Sequence, residues 1–175
     1  MNFHNITHDD MNNGDGLRVV LWVAGCEHHC KNCQNPITWD FTDGVEFDKA
    51  AFHEICTELS KPYISGLTLS GGDPLHPVNR CQILWLVKQV KQFFPHKTIW
   101  LYTGYTWEEI NADNFYCRAI LDYIDVLVDG RFEEALKDVG YHWAGSTNQR
   151  VINVPQSLKE GRVILHESNY EVRYD

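Results

Sequence analysis

Three thiols crowd the segment GCEHHCKNCQ (residues 25–34): Cys26, Cys30 and Cys33, spaced four and then three apart. Thiolates gather zinc or iron–sulfur clusters, and both normally take four ligands. Three protein donors therefore leave one position to be filled. For zinc, His28 or His29 lies inside the loop. Zinc spacings, however, usually pair one Cys-x2-Cys with a second pair further along, and a histidine between two ligands folds back onto the same ion with difficulty. A four-iron cluster suits a compact loop, one thiolate to each of three corners, with the fourth iron open to an external ligand. Cys56, Cys81 and Cys117 fall singly in predicted helices among apolar neighbours and read as buried structural cysteines.

The elements that must position this loop follow from alternating apolar runs and amphipathic segments. LRVVLWV (17–23) is nearly all apolar and β-branched, which predicts a strand buried on both faces. Asp48 is placed to cap a helix, DKAAFHEICTELS. ISGLTLS (64–70) predicts a second strand that stops at GGDP, and Pro77 opens a helix with Ile83, Leu86, Val87, Val90 and Phe94 at helical spacing. KTIWLYT (97–103) predicts a third strand, WEEINADNFYCRAILDYI (107–124) one helix, and DVLVDG (125–130) a fourth strand. RVINV and RVILH are candidates for one or two more. Strands alternating with crossover helices imply a parallel sheet with right-handed connections. Four to six units are too few for a closed eight-unit barrel, so the expected fold is α/β, an open or partial βα barrel. Chemistry in such folds sits at the carboxyl ends of strands. The cysteine loop, SGGDP, YTGY and DGRF each follow a predicted strand and would share one rim.

Bulk properties narrow the function. At 175 residues the chain reads as one domain, residues 1–175, with a polar N-terminal segment (1–16) and a C-terminal extension (155–175). A net charge of −9, from 24 acidic and 15 basic residues, offers no basic stripe for nucleic acid. No apolar run approaches the roughly 20 residues of a membrane span. The polar, acidic start is unlike a secretory signal, and the expectation is a cytoplasmic protein with free thiols.

CxxxCxxC after a first strand resembles the signature of the radical S-adenosylmethionine superfamily. SGGDP (70–74) taken alone reads equally as a tight βα turn. Its place after the second strand matches the Gly-Gly segment of that superfamily. RVVLWVAGCEHHCKNCQNPITWD, LTLSGGDPLHP, YTGY, DVLVDGRF and GSTNQRVI, running from about Asn13 to Ile152, are similar in order to the activating proteins of anaerobic ribonucleoside-triphosphate reductase.

That resemblance implies a cofactor pair. Cys26, Cys30 and Cys33 would hold a [4Fe-4S] cluster, and S-adenosyl-L-methionine would chelate the open iron through its amino and carboxylate groups. Gly71, Gly72 and Asp73 would orient the methionine end through backbone atoms. Many superfamily members carry an aromatic before the third cysteine. Here it is Asn32, so adenine contact would rest on backbone atoms of Asn32, Cys33 and Gln34. Asp129 reads either as half of a turn-forming Asp-Gly pair or, by resemblance, as a residue near a cation beside the co-substrate. Thr103 and Gly104 are candidates to line the pocket, His76 reads as a solvated loop histidine, and GSTNQR either as a polar loop or as a co-substrate or partner contact. The implied reaction is reductive cleavage of the sulfonium to a 5′-deoxyadenosyl radical, which takes a hydrogen from a glycine Cα in the reductase large subunit. The cofactors supply the hard step, so no side chain is needed as acid or base. A flavodoxin-like donor would supply the electron. An activase of another glycyl-radical enzyme, such as pyruvate formate-lyase, is a neighbouring reading. A zinc-binding interaction module and a redox-sensing iron–sulfur protein are readings from other classes.

Overall fold

The computed structural model describes residues 1–112 and 115–167. Among the described residues, seven strands form one open sheet: β1 (Asn2–Asp10), β2 (Leu17–Val23), β3 (Val45–Glu46), β4 (Ile64–Gly71), β5 (Thr98–Tyr102), β6 (Val126–Asp129) and β7 (Arg150–Asn153). Their order is β3-β1-β2-β4-β5-β6-β7. The four inner strands, β2, β4, β5 and β6, are parallel neighbours, whereas β1, β3 and β7 pair antiparallel at the edges. The architecture is a mixed α/β sheet, not closed on itself.

The parallel strands are those the apolar runs predict, because each is buried on both faces. Alternation divides them. Val19, Leu21, Val23, Leu67, Leu69, Ile99, Leu101 and Leu127 join one core with helix residues. These come from α1 (Lys49–Leu59), α2 (Arg80–Phe93) and α4 (Phe115–Leu121). Asp48 caps α1, its carboxylate accepting from the Ala51 amide at 2.9 Å.

The opposite sheet face carries Arg18, Thr68, Trp100 and Tyr102, one residue out of phase with that core. Arg18 is fully buried and spends its fork on neutral acceptors. Nε donates to Thr68 Oγ1 (2.7 Å), Nη1 to the Asp15 carbonyl and Thr98 Oγ1 (3.0 Å each), and Nη2 to the Leu67 carbonyl (2.8 Å). Its guanidinium lies 5.4 Å from the Trp100 ring centroid. Burial pulls its pKa down to about 10, so it stays charged at neutral pH. Thr68 Oγ1 in turn donates to the Asn13 carbonyl (2.7 Å), tying the 11–16 loop beneath the sheet face.

Four expectations need correction. The polar N-terminal segment contains β1, a nine-residue strand whose inward residues Phe3 and Ile6 are buried while its other side chains are mostly polar. The helix placed at Pro77 begins at Arg80, because Asn79 turns inward and its amide donates to the carbonyls of Ala24 (2.9 Å) and Asp73 (3.0 Å). Residues 107–124 hold two described helices, α3 (Trp107–Ala112) and α4, with 113 and 114 outside the described residues. Asn111 Nδ2 takes the Trp107 carbonyl at 2.8 Å and so competes with the helix backbone. Finally, only Cys117 of the three helical cysteines is buried; Cys56 is half-buried and Cys81 exposed.

RVINV supplies β7, but RVILH forms no strand and meets Ile152 only through a bridge at Leu165. The expected C-terminal extension begins inside α5 (Val154–Glu160) and returns along β7, where the His166 amide donates to the Val151 carbonyl at 2.8 Å. His166 Nε2 then lies 2.7 Å from Asp15 Oδ2, beside Trp100. Residues 168–175 of that extension lie outside the described residues. No described helix is long and apolar enough to cross a membrane.

Candidate functional site

The carboxyl ends of the four parallel strands open into a cavity of about 400 Å³. Cys26, Cys30 and Cys33, after β2, form one wall. Gly71, Gly72 and Asp73, ending β4, form the next, followed by Thr103 and Gly104 after β5 and Gly130 and Phe132 after β6. The shared rim expected from the strand order is therefore real. It follows from parallel strands delivering successive loops to one edge.

The cysteine loop is shaped by its backbone. His29 and Asn32 adopt left-handed conformations, φ +47° and +53°, which bend the chain between the thiols. A turn closes it, the Cys33 amide donating to the Cys30 carbonyl at 3.1 Å. The Asn35 amide donates to Cys33 Sγ at 3.4 Å, and backbone N–H groups at His28 and Phe132 partly offset the cost of charge on Cys26 and Cys30. The Phe132 contact reaches across from the β6 loop. Burial pushes the Cys26 thiol up to about 12 and the Cys30 thiol upward as well. An isolated thiolate is thus disfavoured here until a metal replaces the proton.

Among the described residues, no three His, Cys, Asp or Glu side chains converge on a point that would hold a single ion. The thiols instead share the wall of a cavity, as ligands to separate corners of a cluster would. Trp39 lines the same cavity, and its buried Nε1 has no acceptor among the described residues. An indole N–H left without an acceptor in this wall is the kind of donor that iron–sulfur centres use. The donor set fits a four-iron cluster.

The glycines at the end of β4 are required sterically. Gly71 sits at φ +103°, and a Cβ there would lie 2.8 Å from backbone atoms of Trp22 and Val23. The Gly72 and Asp73 amides donate to the carbonyls of Val23 (2.8 Å) and Gly25 (2.7 Å), so this loop is stitched to the entry of the cysteine loop. The Asp73 side chain is buried and turned into the rim. It accepts from Leu75 N, Thr103 Oγ1 and Gly104 N, and it faces His28.

Two other predicted positions stand apart from the cavity wall. Asn32 directs its amide outward to Glu134. Asp129 is buried, accepts from the Trp107 amide (2.7 Å) and is paired with Arg150, Nε to Oδ1 at 3.0 Å. That pairing pushes the Arg150 pKa further up. Gln34 lines the cavity next to Gly145, and in the GSTNQR loop Gln149 Oε1 accepts from the Gly145 amide at 2.9 Å. His76 is half-buried and stacks on Phe41 instead of standing in solvent. The aromatic lining, Trp22, Trp39, Tyr102, Phe132 and Trp143, lies outside the positions the sequence singles out. Alternation along β5 could have indicated Tyr102, since it shares the face of Trp100; the loop aromatics carry no such signal.

Comparison with known proteins places this geometry. Residues 12–152 match the 4Fe-4S single cluster domain family. Over 151 residues the chain is 46% identical to the anaerobic ribonucleoside-triphosphate reductase-activating protein of Enterobacteria phage T4, covering 86% of this chain and 93% of that one. The chain belongs to the anaerobic ribonucleoside-triphosphate reductase-activating protein family. The protein of that name from Pasteurella multocida is 44% identical over 89% of this chain and 99% of its own length. The one from Escherichia coli K12 is 44% identical over 86% and 97%. For this activating protein family member, the cluster-domain match takes in every loop of the rim and ends within β7, before α5 and the returning strap.

Proposed function

We propose that the chain holds a [4Fe-4S] cluster on Cys26, Cys30 and Cys33, binds S-adenosyl-L-methionine in the adjoining cavity, and generates a glycyl radical on the large subunit of anaerobic ribonucleoside-triphosphate reductase. The carrying observation is the shared wall: three thiols from one compact loop beside the glycine-built end of β4. When bound, cluster and co-substrate together supply one-electron cleavage of a sulfonium and hydrogen abstraction from a glycine Cα.

The chain's own residues bind and orient. Gly71 and Gly72 let backbone approach the methionine end of the co-substrate, with Asp73 holding their loop in register. Cys33 and Gln34 face the cavity and suit the adenine end. Asn32, turned outward, serves through its backbone. Asp129 acts by anchoring Arg150 and the start of α3 beneath the rim. Aromatic lining from Trp22, Tyr102 and Trp143 excludes water from the reacting centre.

In the same reading the open sheet is a partial βα barrel of the radical S-adenosylmethionine type, forming one domain over residues 1–175. The electron comes from a flavodoxin-like donor. The protein works in the cytoplasm without nucleic acid or membrane, in keeping with its acidic charge. The test is anaerobic mixing with reductase, S-adenosyl-L-methionine and reductant. A glycyl-radical signal by electron paramagnetic resonance, with 5′-deoxyadenosine released, is expected; neither appearing overturns the reading.

A further inference from the structure

We propose that His28 is a positioning residue: its hydrogen bond to Asp73 fixes the cysteine loop against Gly71–Gly72 and so sets how the co-substrate meets the cluster. This inference rests on the proposed function. His28 lies midway between Cys26 and Cys30, yet its ring nitrogen is engaged by Asp73. Its side chain is only 4% exposed, and Nε2 stands 2.7 Å from Asp73 Oδ2. The Asp73 side chain is 2% exposed and immediately follows the two glycines. A carboxylate only accepts, so His28 donates through Nε2.

The other contacts of Asp73 show what this bond completes. Thr103 Oγ1 reaches both of its oxygens at 2.9 Å, and the Gly104 and Leu75 amides donate at 3.0 and 2.8 Å. One buried carboxylate thereby joins the loops after β2, β4 and β5. His28 is the contribution of the cysteine loop. Its ring is confined: Tyr105 packs edge-on at 4.6 Å, and a Cβ on Gly104 would stand 2.4 Å from its Cδ2. Ring and carboxylate have one arrangement available. Because the thiols lie two residues to either side, the Nε2–Oδ2 bond relates the cluster to the backbone at the end of β4. Hydrogen bonds one layer out from a metal centre typically change affinity or activity 10–100-fold.

The experiment compares wild type, His28→Ala and His28→Gln as anaerobically purified, cluster-loaded protein. Glutamine places an amide N–H near the position of Nε2. Three quantities are read: iron content, the S-adenosyl-L-methionine concentration that half-saturates the change in the reduced cluster's paramagnetic resonance spectrum, and KM against kcat for 5′-deoxyadenosine release. Deuterium exchange of the 26–33 segment without co-substrate gives a further readout.

His28→Ala is expected to raise both the half-saturating concentration and KM about tenfold or more, with a smaller change in kcat and faster exchange. His28→Gln is expected to recover most of the loss. Wild-type values in His28→Ala overturn the proposal, and so does glutamine no better than alanine, including cluster loss in both. If alanine loses the cluster but glutamine keeps it with near wild-type KM, the proposal stands. Absence of any spectral change or cleavage in wild type is a failure of the proposed function itself, and the wild-type arm separates the two.

Discussion

Asp129 and Arg150 face each other across the antiparallel pairing of β6 and β7, with the guanidinium of one closing over the buried carboxylate of the other. Asp129 is 1% exposed, and its remaining donor is the Trp107 amide. Removing Arg150 would leave a buried charge under-compensated, which is among the costlier defects a fold can carry. Arg150→Met should therefore lower stability by about 3 kcal/mol, the lower end of the usual cost because the guanidinium edge reaches solvent. Urea denaturation of the anaerobically purified protein checks this. An unchanged midpoint would show that Asp129 finds another partner.

The same arginine also binds Glu108, whose carboxyl is held below its ordinary value of 4.5 by the Arg150 hydrogen bond. A depressed carboxyl stabilises the fold above its ordinary pKa, and that stability fades as pH falls through the lower, folded-state value. Wild type and Glu108→Gln should differ in stability at pH 7 and converge in acid, once pH has fallen through the lowered folded-state value. Denaturation at both pH values decides it, and a gap that persists in acid would mean the glutamate acts through packing.

The parallel strands were legible because burial on both faces leaves an apolar run with little else to do, as in LRVVLWV. The rim followed from topology, since parallel strands deliver their loops to one edge. β1 was illegible because only Phe3 and Ile6 of its nine residues face the core, and an edge strand's exposed side needs no apolar pattern. Asn79 hid the true start of α2 for a related reason: its role is a pair of long-range carbonyl contacts with no local signature. In the sequence His28 is a candidate metal ligand because it sits among cysteines. Its partner, Asp73, is 45 residues away, and only folding brings the two together.

Arg18 tests how far the buried sheet face that also carries Thr68 and Trp100 depends on geometry as opposed to charge. Its acceptors are arranged for a planar fork and are all uncharged. Lysine retains the charge but cannot reach Thr68, Thr98 and Leu67 together. Arg18→Lys should cost about 2 kcal/mol or more, given that hydrogen bonds from a charged group contribute roughly 1.5–3 kcal/mol each. It should also loosen the 11–16 loop through Thr68, read as faster deuterium exchange there. Equal stability of the lysine variant would mean that water replaces the lost contacts.

Gly71 is where the strand end and the wall proposed for the co-substrate coincide. A side chain there meets Trp22 and Val23 backbone at 2.8 Å while holding φ at +103°. Gly71→Ala should destabilise by about 1–3 kcal/mol from the backbone conformation alone. The β2–β4 pairing would also separate, weakening S-adenosyl-L-methionine binding more than iron content. Titration of the reduced cluster with co-substrate, followed by paramagnetic resonance, measures that split. Parallel loss of iron and binding would assign Gly71 to the fold only.

The six cysteines divide cleanly by position, and that division is the most direct check on the metal centre. Cys26, Cys30 and Cys33 share the cavity wall, while Cys56, Cys81 and Cys117 lie on α1, α2 and α4. In the proposed site, losing one of the first three removes a corner ligand, and the helical cysteines stand outside the cavity wall and do not replace it. Cys26→Ala, Cys30→Ala and Cys33→Ala should each fall far below the about four irons per chain of a complete cluster. Cys56→Ala, Cys81→Ala and Cys117→Ala should load normally, with a small stability loss confined to the buried Cys117. Iron and acid-labile sulfide analysis after anaerobic reconstitution separates the two groups. A full iron complement in Cys30→Ala, or its loss in Cys81→Ala, would move the centre away from the rim and leave the glycine-built end of β4 with nothing to face.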